Sequence, residues 1–190
     1  MVFTRRGLVF FLLIDTVLIA AGITAFLSRR TAPPAVGLES FNQATMRIES
    51  PAFAQNALIP KTYACDGDDV SPPLAVSGVP ASAKTLALIV DDPDAPFGTW
   101  VHWTAWNIPV DTSVIAEGSV PRGAVEGSTS AGKPGYGGPC PPSGTHRYFF
   151  KLYALDTALS LPSSADAKAL EAAMEGHVLD KAGLVGRYAR

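Results

Sequence analysis

Four side chains with groups suited to acid–base or binding chemistry stand where predicted β-strands begin or end. Asp92 follows a strongly apolar predicted strand, and His102 lies at the start of the next one. His146 opens a third predicted strand, and Tyr148 shares its face because successive side chains of a strand alternate between the two faces. Antiparallel pairing of the first two strands would place Asp92 and His102 at one end of a sheet, where His146 and Tyr148 could join them.

Several kinds of site could use these groups. A hydrolase would need Ser143 or Cys140, which lie near His146, but no G-x-S-x-G motif is present. Two histidines and a carboxylate could bind iron or zinc, yet neither H-x-D nor H-E-x-x-H occurs, and no P-loop motif is found. The residues favour a pocket for phosphate or carboxylate with donors from "GYGG" at 135–138. A buried polar network that only ties loops together is the structural alternative. We predict neither a metal nor another cofactor.

The loop that separates the first two strands begins with "DDPDAP". Pro93 and Pro96 stiffen it and remove two backbone donors. Asp92 precedes a proline, which favours an extended backbone at that residue. We expect Asp91 and Asp94 to shape the loop through local hydrogen bonds rather than to line a pocket.

The pattern of apolar residues and breaks predicts a mostly β protein. Its 16 prolines and 17 glycines interrupt the chain too often for long helices. Strands do not alternate with helices, so an antiparallel β-sandwich with one or two peripheral helices is expected rather than a doubly wound sheet. Predicted strands cover residues 46–50, 84–90, 101–108, 147–155 and 183–189, and a short one lies within residues 72–80. One helix is predicted near 165–180, capped by Ser163 or Ser164, with Leu170, Met174, Val178 and Leu179 on one face and His177 near its end.

The N-terminal region has a composition of its own. Residues 7–27 are almost wholly apolar, with paired arginines on both sides and Asp15 as the only charge. Their length suits a membrane-spanning helix. We expect an uncleaved signal anchor rather than a cleaved or twin-arginine signal peptide, with the folded domain on the outer side of the membrane. The expected organisation is a membrane segment at 1–30, a linker at 31–45 and a domain at 46–190.

Charge and cysteine content narrow the range of partners. The predicted domain holds 11 Lys and Arg against 15 Asp and Glu, a formal net charge of −4, with no basic run. Nucleic-acid binding is therefore not expected. The two cysteines, Cys65 and Cys140, either form one disulfide in an oxidising compartment or remain free thiols. Their spacing does not fit a structural zinc site.

Several motifs together resemble the phosphatidylethanolamine-binding protein family, in particular its bacterial branch, often called Raf kinase inhibitor-like. The motifs are "YACDGDDVSPPLAVSGVP" (63–80), "DPDAP" (92–96), "WVHW" (100–103), "PPSGTHRYFF" (141–150) and "AMEGHVL" (173–179). The resemblance covers residues 48–190. It implies a Greek-key sandwich of two antiparallel sheets with a small pocket at one end for phosphate-like anions or phospholipid head groups.

The resemblance also implies which residues contact the ligand. The matching positions are Asp92, Pro96, Trp100, His102, Gly138, His146 and Tyr148. At the glycine-containing rim, either Gly138 or Cys140 could take the family's position. A protein of this kind is expected to bind rather than catalyse. The alternative is an inhibitor or interaction protein that engages a protease or another enzyme through exposed loops, although no target is specified by the sequence.

Overall fold

The computed structural model describes residues 45–190, which form two antiparallel β-sheets and one α-helix. A short 3-10 turn at Lys61–Tyr63 lies between the first two strands. In chain order the elements are β1 (Arg47–Glu49), β2 (Leu74–Ser77), β3 (Thr85–Asp92), β4 (Trp100–Ile108), β5 (Val114–Ile115), β6 (Val125–Glu126), β7 (Thr145–Leu155), α1 (Ala167–Met174) and β8 (Val178–Ala189). The larger sheet has the order β6-β4-β3-β7-β8 and the smaller one β1-β2-β5.

Strand β3 lies at the centre of the larger sheet and is covered on both faces. Leu88 and its neighbours of the same parity belong to the core shared with the smaller sheet, which contributes Leu74 and Val76. Ile89 faces the other way and packs with Leu170 of α1. All eight residues of β3 are buried. This two-sided burial explains why the predicted strand is continuously apolar instead of alternating.

The predicted helix is present but much shorter than expected. It ends at Met174 because Gly176 adopts φ 78°, a left-handed conformation that ends helices. Val178 and Leu179 therefore belong to β8, where both are exposed, and their predicted place on the helix face is wrong. The N-cap is Asp166, whose carboxylate accepts from the Ala169 N–H at 2.9 Å, rather than Ser163 or Ser164.

His177 lies beyond the helix, in the turn before β8. Its Nδ1 is 2.8 Å from Asp156 Oδ1, so a carboxylate of another segment holds the ring. The sequence does not predict the short strands β5 and β6, because two residues are too few to show the alternation of apolar and polar side chains.

The predicted membrane segment and linker, residues 1–45, lie almost wholly outside the residues that the structure describes. Within residues 45–190, no helix is long and apolar enough to cross a membrane.

Candidate functional site

The end of β3 meets the start of β7, and this places Asp92 beside His146. The two strands pair antiparallel through Asp91 and Phe149. Asp92 Oδ2 lies 2.7 Å from His146 Nδ1, and both residues are buried, at 4% and 8% exposure. Asp92 Oδ1 accepts the Asp94 backbone N–H at 2.8 Å. Both carboxylate oxygens therefore have partners, and the carboxylate fixes the orientation of the His146 ring.

His102 enters the same cluster through a β-bulge in β4. Val90 pairs with Trp103 and Asp91 pairs with Val101, so His102 is the extra residue on its strand. The bulge directs the adjacent rings of His102 and Trp103 into the same side of the sheet. His102 meets Tyr148 edge-on with ring centroids 5.2 Å apart, while Trp103 belongs to the core.

The hydrogen bonding of His102 determines what its second nitrogen can do. Nδ1 lies 2.7 Å from the Gly137 carbonyl oxygen, which can only accept, so Nδ1 carries the proton. Burial lowers the pKa of His102, although the Gly137 carbonyl and the Asp92 carboxylate both raise it. In the resulting neutral ring, Nε2 is an acceptor. Nε2 is buried and has no hydrogen-bond partner among the described residues.

Tyr148 supplies a second unpartnered group. Its hydroxyl is buried and has no hydrogen-bond partner among residues 45–190. Burial raises the pKa of Tyr148 far above its ordinary value, and the nearby Asp92 carboxylate raises it further. The Cys140 backbone N–H lies close enough to lower this pKa in part, but neither it nor Asp92 meets hydrogen-bond geometry with the hydroxyl. The phenol therefore remains protonated. Buried polar groups are normally hydrogen-bonded, so two unpartnered groups in one cluster point to a ligand or water.

Of the three remaining predicted contacts, Trp100 and Gly138 lie next to residues of the cluster or their partners, and Pro96 lies on the β3–β4 loop. Pro96 and Trp100 are exposed on the β3–β4 loop and the start of β4, and Trp100 pairs with Asp92 across the strands. Gly138 is buried, and its N–H donates to Asp69 Oδ1 at 2.6 Å. Its contact with a ligand stays a prediction, because in the structure it serves the packing of the loop. Phe97, which the sequence did not single out, projects fully into solvent beside Pro96.

A disulfide lies in the segment that contacts His102. Cys65 and Cys140 are bonded, as one of the two sequence-based alternatives predicted. Cys65 N–H also donates to the Pro139 carbonyl at 3.1 Å. The bond attaches the segment that carries Gly137 to the segment after the 3-10 turn. Because its sulfur is bonded, Cys140 is not a free thiol nucleophile in this structure.

Asp91 and Asp94 make longer-range contacts than the local ones predicted for them. Asp94 binds the Arg147 guanidinium through two contacts, at 2.6 and 2.9 Å. Asp91 forms a salt bridge with Lys151. Both partners lie on β7, so the expectation of purely local bonds is wrong. The two aspartates attach the β3–β4 loop and the end of β3 to the neighbouring strand.

The Asp94–Arg147 pair should keep its ionic form well into the acid range. The Arg147 hydrogen bond lowers the pKa of Asp94 from 3.8 to about 2. Because the folded-state pKa is depressed, the stability the pair adds is present above the unfolded-state pKa of about 4 and is lost as the pH falls through about 2. A ¹³C titration of the Asp94 carboxyl should show its midpoint near that lower value. Arg147→Met should return it toward about 4; an unchanged midpoint in the variant would show that Arg147 is not the cause.

The described residues offer no ready metal site. No group of three or more His, Cys, Asp or Glu side chains within residues 45–190 is arranged to hold a metal ion. The chemistry of the cluster is that of hydrogen bonding, with one carboxylate, two imidazoles and one phenol.

Fold and cluster together define a protein of two antiparallel β-sheets with a closed polar site where β3, β4 and β7 meet. The model of the phosphatidylethanolamine-binding protein family matches residues 49–189, and the chain belongs to this family.

Similar proteins come from archaea and bacteria. A UPF0098 protein of Methanothermobacter thermautotrophicus is 51% identical over 150 residues, which are 76% of this chain and 99% of that protein. The crystal structure of a phosphatidylethanolamine-binding protein homologue from Chlamydia trachomatis is 43% identical, with a TM-score of 0.75 over 77% of this chain and 99% of that one. E. coli YbcL, described as a member of the mammalian family, is 30% identical with a TM-score of 0.73 over the same shares.

Proposed function

We propose that this chain is a non-enzymatic binding protein whose cluster takes a small phosphate-like anion, either free or as a phospholipid head group. Residues 7–27 would tether it to a membrane, with the domain on the outer side. One observation carries the proposal: two buried groups, His102 Nε2 and Tyr148 Oη, lack partners beside the Asp92–His146 pair. Membership of a family named for binding a phospholipid supports it.

With His146 protonated, the Asp92–His146 pair offers an anion a donor held in a fixed orientation, while the pair as a whole is neutral. Asp92 holds His146 by Nδ1, which leaves Nε2 of that ring available to a ligand. When the ring is protonated, Nε2–H and the Tyr148 hydroxyl can both donate to an oxyanion. The carboxylate neutralises the imidazolium, which lowers the desolvation penalty of holding the charge in a buried site.

We expect a bordering loop to move when a ligand enters, because most of the cluster is buried. His102, His146 and Tyr148 are each at most 8% exposed. The β3–β4 loop and the segment around Gly137 border the cluster. Trp100 is 45% exposed at this border, so its fluorescence should report the change.

The test is calorimetric titration of the full chain, kept in mild detergent, with phosphoethanolamine. Asp92→Asn and His146→Ala should each weaken binding about tenfold or more, since each removes a charge-assisted hydrogen bond. The matched control is Asp156→Asn, which breaks an exposed carboxylate–histidine pair elsewhere. Absence of binding in the unsubstituted chain would refute the proposal. Ester turnover that disappears in Ser143→Ala would refute its non-enzymatic part.

A second candidate function rests on the exposed aromatic residues of the β3–β4 loop. Phe97 is fully exposed and Trp100 is partly so, and aromatic side chains are enriched at protein-interface hot spots. An inhibitor or interaction protein could engage another protein there. Partner capture from the cell envelope that survives Asp92→Asn but is lost with Phe97→Ser would favour this function over anion binding.

A further inference from the structure

The polar atoms of the cluster differ in whether they have hydrogen-bond partners, and His102 Nε2 differs most from the rest. Both oxygens of Asp92 already accept hydrogen bonds. The Tyr148 hydroxyl can donate or accept. His102 Nε2 can only accept, because Nδ1 donates its proton to Gly137. Nε2 is therefore the buried acceptor of the cluster that a ligand would have to satisfy with a donor.

We propose that His102 makes the site select an anion that still carries a proton, such as a phosphomonoester monoanion, over an anion of the same shape and charge that has none. This inference rests on the proposed function and names the ligand species. A sulfate ester offers only acceptor oxygens. Their lone pairs would face the lone pair of His102 Nε2, with no hydrogen between them. A singly protonated phosphate ester offers one O–H, which can donate to His102 Nε2. Its other oxygens can accept from the Tyr148 hydroxyl and from Nε2–H of a protonated His146.

The groups around His102 determine whether it could supply the proton itself. Asp91 and Asp92 of β3 and Asp69 of the loop before β2 all favour the charged ring. His146 and Tyr148 face the cluster from β7. Desolvation outweighs the three carboxylates and keeps the pKa of His102 below its ordinary value. The proton must therefore come with the ligand near neutral pH.

A matched pair of probes isolates this single hydrogen bond. At about pH 5, methyl phosphate and methyl sulfate both carry about one negative charge, but only the phosphate keeps a hydroxyl, since its second pKa is about 6. Calorimetry on the full chain in detergent should show methyl phosphate binding about tenfold or more tightly than methyl sulfate. Any effect of His146 protonation acts on both probes and cancels in their ratio.

The same preference should fall with pH. Above about pH 6 the phosphate ester loses its hydroxyl, and the affinity ratio of the two probes should decline by up to about tenfold per pH unit. His102→Asn is the informative variant, because its amide nitrogen can keep the donor to Gly137 while the Nε2 acceptor is removed. In this variant the ratio should approach one. Near-UV circular dichroism and the melting temperature check that the variant is folded.

The outcomes separate the two proposals. Preference for methyl phosphate that disappears at high pH and in His102→Asn supports the role of His102. Equal binding of the two probes, or tighter methyl phosphate binding as the pH rises, would overturn that role and leave anion binding intact. A preference that survives His102→Asn would also overturn it. If neither probe binds at any pH, the proposed function fails and this inference fails with it.

Discussion

Replacement of both cysteines by serine is expected to lower the free energy of unfolding by about 4 kcal/mol. Cys65 and Cys140 are 75 residues apart in sequence. On the chain-entropy model, opening a loop of this length gives the unfolded chain about that much additional conformational freedom. Urea unfolding of the double variant measures the loss. The reduced unsubstituted chain should lose a similar amount, whereas reductant should have no effect on the double variant.

The disulfide should also affect the cluster, because it holds the segment that binds His102. Gly137 accepts from His102 and lies three residues before Cys140. With the bond removed, this segment keeps only hydrogen bonds and packing, among them the Gly137 N–H to the His102 carbonyl at 2.9 Å and the contact of Gly138 with Asp69. We expect weaker phosphoethanolamine binding in the double variant even under conditions where it is fully folded. Unchanged stability and unchanged affinity would show that the bond supports neither the fold nor the site.

Gly138→Ala should cost about 2–3 kcal/mol, the upper part of the range for overpacking a buried position. A Cβ there would lie 2.8 Å from Ala64 Cα and closer still to the Tyr63 carbonyl oxygen, and these backbone atoms cannot rotate away. The loop would have to shift and loosen the Asp69 hydrogen bond. Chemical denaturation measures the effect.

Gly183→Ala is the matched control for this substitution. Gly183 lies in β8, where the nearest atom that a Cβ would meet, the Phe150 carbonyl oxygen, is 4.0 Å away. Its replacement should change the unfolding free energy by less than about 0.5 kcal/mol. Equal effects of the two substitutions would contradict the close approach inferred at Gly138.

Part of the site was accessible from sequence because strand periodicity is a local property. The spacing of His146 and Tyr148 fixes their common face, and antiparallel pairing brings the end of β3 to the starts of β4 and β7. The strand pattern and the turn residues likewise predict a sandwich with one or two helices, and the structure has two sheets and one helix within residues 45–190.

Other features depend on tertiary contacts that no local pattern encodes. The bulge that turns His102 inward arises from the register between β3 and β4. The partners of Asp91 and Asp94 lie more than 50 residues away on β7. The end of the helix is a local feature, because Gly176 in "AMEGHVL" is a helix stop signal within the predicted range 165–180.

The three histidines of the chain allow one direct test of anion binding at the cluster. His102 and His146 lie within it, while His177 is held by Asp156 in the turn before β8. Imidazole ¹⁵N–¹H NMR spectra of the full chain should be recorded during titration with methyl phosphate at about pH 6, near its second pKa. We expect saturable shifts of the His102 and His146 signals with His177 unchanged. No shift at millimolar ligand, or equal shifts of all three histidines, would contradict anion binding at this cluster.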